Sequence, residues 1–97
     1  KDSKIVSLEV LKYEEGGFYK VHVDHHINFP RNISIIYFLN NDYEGGELQF
    51  HNPDGTKSFT VNPEPGRMVI WPSNFLYPHS VIPVTKGTRY VLVAWVI

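Results

Sequence analysis

The sequence predicts an all-β domain, a sandwich or small barrel of roughly eight strands. Three observations carry that prediction. The apolar set is dominated by β-branched and aromatic residues: eleven Val, eight Ile, six Tyr and six Phe, against one Ala and six Leu. Such residues suit a pleated, half-buried surface better than a helix. Seven Gly and seven Pro are spread along the whole chain, so turns are frequent. Between those turns lie short apolar runs, spaced as in a two-sheet β protein.

The first strand is expected from Lys4 to Tyr13, with Ile5, Val6, Leu8, Val10 and Leu11 as its apolar positions. Glu14-Glu15-Gly16-Gly17 turns the chain into a second strand, Phe18 to Asp24, and His25 to Arg31 follows as a polar loop. Asn32 to Leu39 is the most apolar run of this half and reads as a central strand. Asn40 to Gly46 is a turn-rich connection. Glu47 to His51 and Lys57 to Val61 form a hairpin around Asn52-Pro53-Asp54-Gly55, a strong turn signal. Pro65-Gly66 suits the centre of a type II turn, and Arg67 to Trp71 follows as a short, buried strand. After the Pro72–Pro78 loop, His79 to Val84 is a strand, and Thr85-Lys86-Gly87 turns it into the last one, Thr88 to Ile97. This count fits an immunoglobulin-type sandwich or a jelly roll equally well.

Composition narrows the function. At 97 residues the chain is one domain, 1–97. A formal charge of −1 provides no basic field, so neither nucleic acid nor an anionic membrane is an expected partner. The lack of cysteine removes disulfides, thiolate metal sites and cysteine nucleophiles together. No apolar run nears the ~18 residues that cross a bilayer. With no targeting segment and no cysteine, the cytosol is the favoured compartment. The chain opens at Lys1 rather than Met, so it is expected to be a piece of something longer or a processed form.

Four residues carry the chemistry. His22 and Asp24 are two apart on a strand and so share a face, where an imidazole and a carboxylate together suit a divalent metal. His79 opens a later strand from a turn, at the rim of a sheet, where a third ligand can converge. Two His and one carboxylate make the facial triad of non-haem Fe(II) oxygenases. Arg89 shares its strand face with Val91, Val93, Trp95 and Ile97, which points it inward. A buried guanidinium requires an anion, and a ligand carboxylate is one candidate. A solvated His-Asp pair, a capping His79 and an Arg89 reaching out to water are the structural alternatives.

Taken together, four blocks resemble the prolyl 4-hydroxylase-like 2-oxoglutarate/Fe(II) dioxygenases. They are Tyr13-x2-Gly16-x2-Tyr19-x2-His22-x-Asp24, Ile36-Tyr37-Phe38-Leu39-Asn40, Glu44-Gly45-Gly46-Glu47-Leu48, and His79-x-Val81-x-Pro83-Val84-Thr85-x-Gly87-x-Arg89 with Trp95 beyond. The resemblance spans nearly the whole chain in order. It implies a double-stranded β-helix, a form of the jelly roll, with the N-terminal helices that usually back the major sheet absent from this chain. It implies His22, Asp24 and His79 as catalytic iron ligands and Arg89 as the partner of the far 2-oxoglutarate carboxylate. Tyr13 or Tyr19 would lend a hydroxyl near the cosubstrate, Tyr19 only through a bulge or from the neighbouring strand, because strand parity turns it from His22. Fe(II), 2-oxoglutarate and O2 are the implied cofactors, with ascorbate as an optional addition.

Some relatives carry Tyr where Phe38 stands, so one hydroxyl is missing here, and Ser34, of the same parity, is a candidate substitute. The resemblance implies hydroxylation of a C–H bond in a protein, peptide or small molecule, a peptidyl proline first, with selectivity in the loops His25–Arg31 and Asn40–Gly46. A jelly-roll binding module and a cupin-like metalloprotein without a keto acid are the alternatives. His25, His26 and Arg31 are expected near substrate, His51 solvated, Arg67 in a surface ion pair, and Trp71 and Trp95 in the core.

Overall fold

Alternation along two apolar runs sets the architecture of the protein. In the computed structural model, which describes residues 3–97, Ser34, Ile36 and Phe38 are buried while Ile33, Ile35 and Tyr37 between them are only partly covered. Arg89, Val91 and Val93 alternate in the same way against Tyr90 and Leu92. Period-two burial of this kind builds a sheet with one face on a core. The 1–97 domain expectation includes Lys1 and Asp2, which lie outside the described residues.

The described residues form ten strands: β1 (Ile5–Tyr13), β2 (Tyr19–His22), β3 (Ile33–Phe38), β4 (Glu44–Gly45), β5 (Leu48–His51), β6 (Lys57–Val61), β7 (Met68–Pro72), β8 (His79–Val81), β9 (Val84–Lys86) and β10 (Arg89–Val96). They make a major sheet β1-β10-β3-β7, a minor sheet β2-β8-β5-β6 and a small pair β4-β9, antiparallel throughout. No helix occurs among the described residues. The architecture is the expected all-β jelly roll. Ile36, Phe38, Leu48, Phe50, Trp71, Val91 and Val93 pack between the sheets as the core. Burying each such side chain is worth about 1.5–3 kcal/mol.

Three expectations are corrected. Ten strands are counted among the described residues because Glu44-Gly45, read as part of a turn, pairs with Val84–Lys86, read as the end of the preceding strand at Val84 and as a turn at Thr85 and Lys86. A Cβ at Gly45 would collide with the Pro83 carbonyl oxygen, so only glycine permits that approach. A strand of two residues also has no periodicity to read. The run His79–Val84 is broken after Val81, and Pro83, lacking an N–H, separates β8 from β9. The strand at Arg67–Trp71 is not buried as a whole. It is the edge of the major sheet, with Met68 and Ile70 exposed and Trp71 turned inward.

The outer face of the major sheet is apolar and open. Ile5, Leu8, Ile35, Tyr37, Met68 and Leu92 line a groove of about 340 Å³ there. A register shift between Val6 and Glu9, with Ser7 at φ 55°, changes which β1 side chains face out. This bulge leaves Leu8 and Val10 outside and returns Leu11 and Tyr13 toward the core side.

Candidate active site

Between the two sheets lies a cavity of about 530 Å³, within the range of small-molecule sites. His22, Asp24 and His79 line it, as do Arg89, Tyr13 and Tyr19. The structure therefore brings together all six residues that the sequence singled out.

The polar end is built where β2 meets β8. His22 stands directly opposite His79 in the antiparallel register, and Asp24 follows just past the end of β2. Nδ1 of His22 donates to the Lys20 carbonyl at 2.8 Å, and Nδ1 of His79 faces the Tyr77 carbonyl at 3.2 Å. Both bonds run to the carbonyl two residues back, which fixes the proton on Nδ1 and leaves Nε2 with a free lone pair in the neutral ring. Each Nε2 then lies 3.2 Å from the same oxygen, Oδ1 of Asp24. Two lone pairs and a carboxylate oxygen converging in a largely buried place repel one another unless a cation sits among them. The three ligand atoms lie within 4.8 Å of one another, and this donor set suits a divalent ion such as Fe(II).

Burial by itself would raise the Asp24 carboxyl, yet it is held well below the usual carboxylate range. The two imidazoles draw on the carboxylate only when a second proton on Nε2 stands in place of an ion; together with the hydrogen bond from Ser34 they then outweigh the desolvation. Oδ2 accepts from Ser34 Oγ at 2.5 Å and from the indole Nε1 of Trp95 at 3.1 Å. Ser34 is thus committed to Asp24 and does not replace the hydroxyl missing at Phe38. Trp95 likewise does more than fill the core, and the Arg31 guanidinium lies 3.8 Å from the centre of its ring at the cavity wall. His79 is boxed by Trp71, edge-on at 5.0 Å between ring centres.

The other end is built around Arg89, fully buried on the inward face of β10. Its Nε, Nη1 and Nη2 have no hydrogen-bond partner among the described residues. The guanidinium sits 4.8 Å from the Tyr13 ring centre and 5.8 Å from that of Phe38. Burial lowers its pKa from a value so high that the charge survives, while Tyr43 and Tyr13 act the other way. Burial raises the hydroxyls of Tyr13 and Tyr43, so both stay neutral donors. The Tyr43 hydroxyl is buried beside Arg89 but makes no well-formed hydrogen bond. A Cβ on Gly46 would come within 3.0 Å of Arg89 Cδ and of Val84, so this glycine leaves room for the stem of the arginine. An unpartnered, buried cation facing a cavity is a receptor for an anion, and its fork matches a carboxylate. Both ends therefore fit the groups that the sequence resemblance implies.

A family model for the 2OG-Fe(II) oxygenase superfamily matches residues 8–97. The chain belongs to that superfamily. A PKHD-type hydroxylase of Gloeothece citriformis is 41% identical over 99 residues, and one of Crocosphaera subtropica 39%. Those alignments take in 96% and 95% of this chain but 43% of each relative, so the chain spans under half their length. Among solved structures, a Pseudomonas putida prolyl-4-hydroxylase superposes with a TM-score of 0.77 at 28% identity, over 98% of this chain and 51% of that one. A Trichoplax adhaerens prolyl hydroxylase superposes at 0.83 and 23% identity, over 97% of this chain and 44% of that one, and shares the fold. The prolyl 4-hydroxylase-like resemblance read from the four sequence blocks is thereby borne out.

Other placements meet expectation in part. Tyr19 reaches the cavity through the expected irregularity: the β2–β8 register shifts between Tyr19 and His22, and the two rings lie 4.0 Å apart. His51 is buried rather than solvated, with Nε2 2.9 Å from Ser80 Oγ. Arg67 makes no ion pair among the described residues and donates to the Asn62 carbonyl instead. Of the two loops expected to select substrate, His25–Arg31 contributes His26, Phe29 and Arg31 to the cavity. Asn40–Gly46 contributes none, and Asn40 instead ties Thr88 and Tyr90 at the start of β10. Ser73 was missed altogether, lying in a loop without any sequence pattern. Ser34 stood out in the sequence only as a substitute hydroxyl for Phe38, and its bond to Asp24 was not legible there.

Proposed function

We propose that this chain carries the catalytic core of an Fe(II)- and 2-oxoglutarate-dependent dioxygenase that hydroxylates a C–H bond, with a prolyl residue of a protein or peptide as the substrate. The observation that carries this reading is the pairing, within one cavity, of three convergent acceptors with an unpartnered guanidinium. In this reading His22 Nε2, His79 Nε2 and Asp24 Oδ1 hold the metal. Arg89 receives the far carboxylate of 2-oxoglutarate, with Tyr13 against it. Bound there, Fe(II) and 2-oxoglutarate supply the oxidising power that activates O2, with succinate and CO2 as co-products.

The chain's own part is geometry and exclusion of water. The Nδ1–H bonds to Lys20 and Tyr77 orient the two imidazoles. Trp71 and Phe50 shield His79, and Tyr19 covers the more exposed His22. Phe29 and Arg31 stand at the cavity wall, where a substrate side chain would enter. Hydroxylation is favoured by the similar PKHD-type hydroxylases, and a prolyl substrate by the Pseudomonas putida prolyl-4-hydroxylase, which is 28% identical to this chain. Because those relatives are longer, the working enzyme is proposed to include further segments. A chain without cysteine is in keeping with the cytosol.

The test is anaerobic titration of the full-length protein with Fe(II), then 2-oxoglutarate, watching for the visible charge-transfer band of the chelate. A band that needs both supports the reading, and succinate release on adding proline-containing peptides would extend it to substrate. Iron binding without a band favours the cupin-like alternative, and binding of neither favours a pure binding module.

A further inference from the structure

The two oxygens of Asp24 are divided between two tasks. Oδ1 faces both histidines, while Oδ2 takes the 2.5 Å bond from Ser34 and the 3.1 Å bond from Trp95. Ser34 has a single proton, which goes to the carboxylate. The 2.7 Å contact between the Ser34 and Ser73 hydroxyls is therefore donated by Ser73. Both serines are 1% exposed, so a chain of two buried hydroxyls ends on one carboxylate oxygen. Buried hydroxyls are costly unless they serve a partner, and here the chain serves the carboxylate. The backbone N–H of His25 donates to the Ser73 carbonyl, and that of Ser73 to the Asn32 carbonyl, so the serine is itself anchored.

We propose that Ser34, backed by Ser73 and helped by Trp95, is a positioning residue that restricts Asp24 to ligation through one oxygen. The inference rests on the metal reading above. A carboxylate that grips with both oxygens occupies two coordination positions instead of one. On an octahedral ion that already holds two imidazoles, the second oxygen takes a place which the keto acid and O2 need. Ser34 thus keeps a position open rather than strengthening the hold on metal. Most supporting groups around a metal act in the opposite sense, and their loss weakens metal affinity roughly 10–100-fold.

The two roles are separable in the full-length protein with Mn(II) in place of Fe(II). Water bound to the ion is counted by EPR line broadening in ¹⁷O-enriched solvent, and affinities for Mn(II) and for 2-oxoglutarate are measured by titration. The wild type is expected to hold roughly three waters. In Ser34→Ala one water is lost, Mn(II) binds as tightly or tighter, and 2-oxoglutarate binds about tenfold more weakly, in the range of other outer-shell losses. Ser34→Thr restores the water and the affinity. Ser73→Ala, which spares the direct contact, gives the same signs at smaller size and carries the test should Ser34→Ala misfold. A full water count and wild-type 2-oxoglutarate affinity in both alanine variants overturn the positioning role alone. Weaker Mn(II) binding with the water count unchanged assigns Ser34 to ordinary metal support and also overturns it. A wild type that binds no Mn(II) overturns the metal reading itself, and this inference with it.

Discussion

The two ends of the cavity are finished to different degrees. At the His22–Asp24–His79 end each imidazole Nδ1 and the second carboxylate oxygen already have a protein partner, which leaves only the three inward-facing atoms uncommitted. At the Arg89 end three buried nitrogens have none among the described residues. One end is preorganised by the protein, and the other waits for its ligand to complete it. The difference teaches where stability and function separate. Pairing at the first end holds the fold as well as the site, whereas the uncompensated charge at the second costs the fold and serves only the ligand.

The sharpest way to break the comparison is His79→Ala. It removes a donor that no neighbour replaces, and divalent-metal affinity should fall by roughly 100-fold or more, read by titration with Mn(II). Arg89→Leu comes next. It should weaken 2-oxoglutarate binding by about 100-fold, in line with loss of about 2.7 kcal/mol, while metal affinity stays within about twofold. The same variant should unfold at a higher temperature than the wild type without ligand, because a buried unpaired charge becomes a packed side chain. A lower midpoint would mean that Arg89 is paired by groups beyond the described residues.

Smaller effects sharpen the picture. Gly46→Ala sets a methyl against Arg89 Cδ and Val84 at a backbone φ of +67°, so 2-oxoglutarate affinity should drop with stability in one calorimetric series. The smallest change is expected from Phe38→Tyr. Phe38 already lies beside the guanidinium, and a hydroxyl there should improve 2-oxoglutarate binding by about two- to tenfold, since one added hydrogen bond nets about 0.5–1.5 kcal/mol.

How much of this was legible in the sequence follows from the range of each interaction. His22 and Asp24 share a motif, and Arg89 sits on an alternating strand, so period two alone turned them inward. His79 could be placed at a sheet rim, and the family resemblance joined it to the other two. What could not be read depends on contacts made across the fold. Ser73 meets Ser34, and His51 meets Ser80, only after strands distant in sequence have paired. Tyr43 lies in a turn segment with no period, yet the β4–β9 pairing folds it against Arg89. The outer face was legible in a different sense: its apolar residues could be counted from the sequence, and the structure shows them uncovered among the described residues.

The pairing of β2 carries a kinetic consequence. This strand is an edge of the minor sheet, largely exposed, and is joined to β8 at just Tyr19–Val81 and His22–His79. An ion held by residues on both strands would act as a rivet across that seam, closing a loop that spans most of the chain. The seam should therefore be the last part to zip during folding and the first to breathe afterwards. Adding Mn(II) should slow amide exchange at residues 19–24 more than anywhere else in the minor sheet.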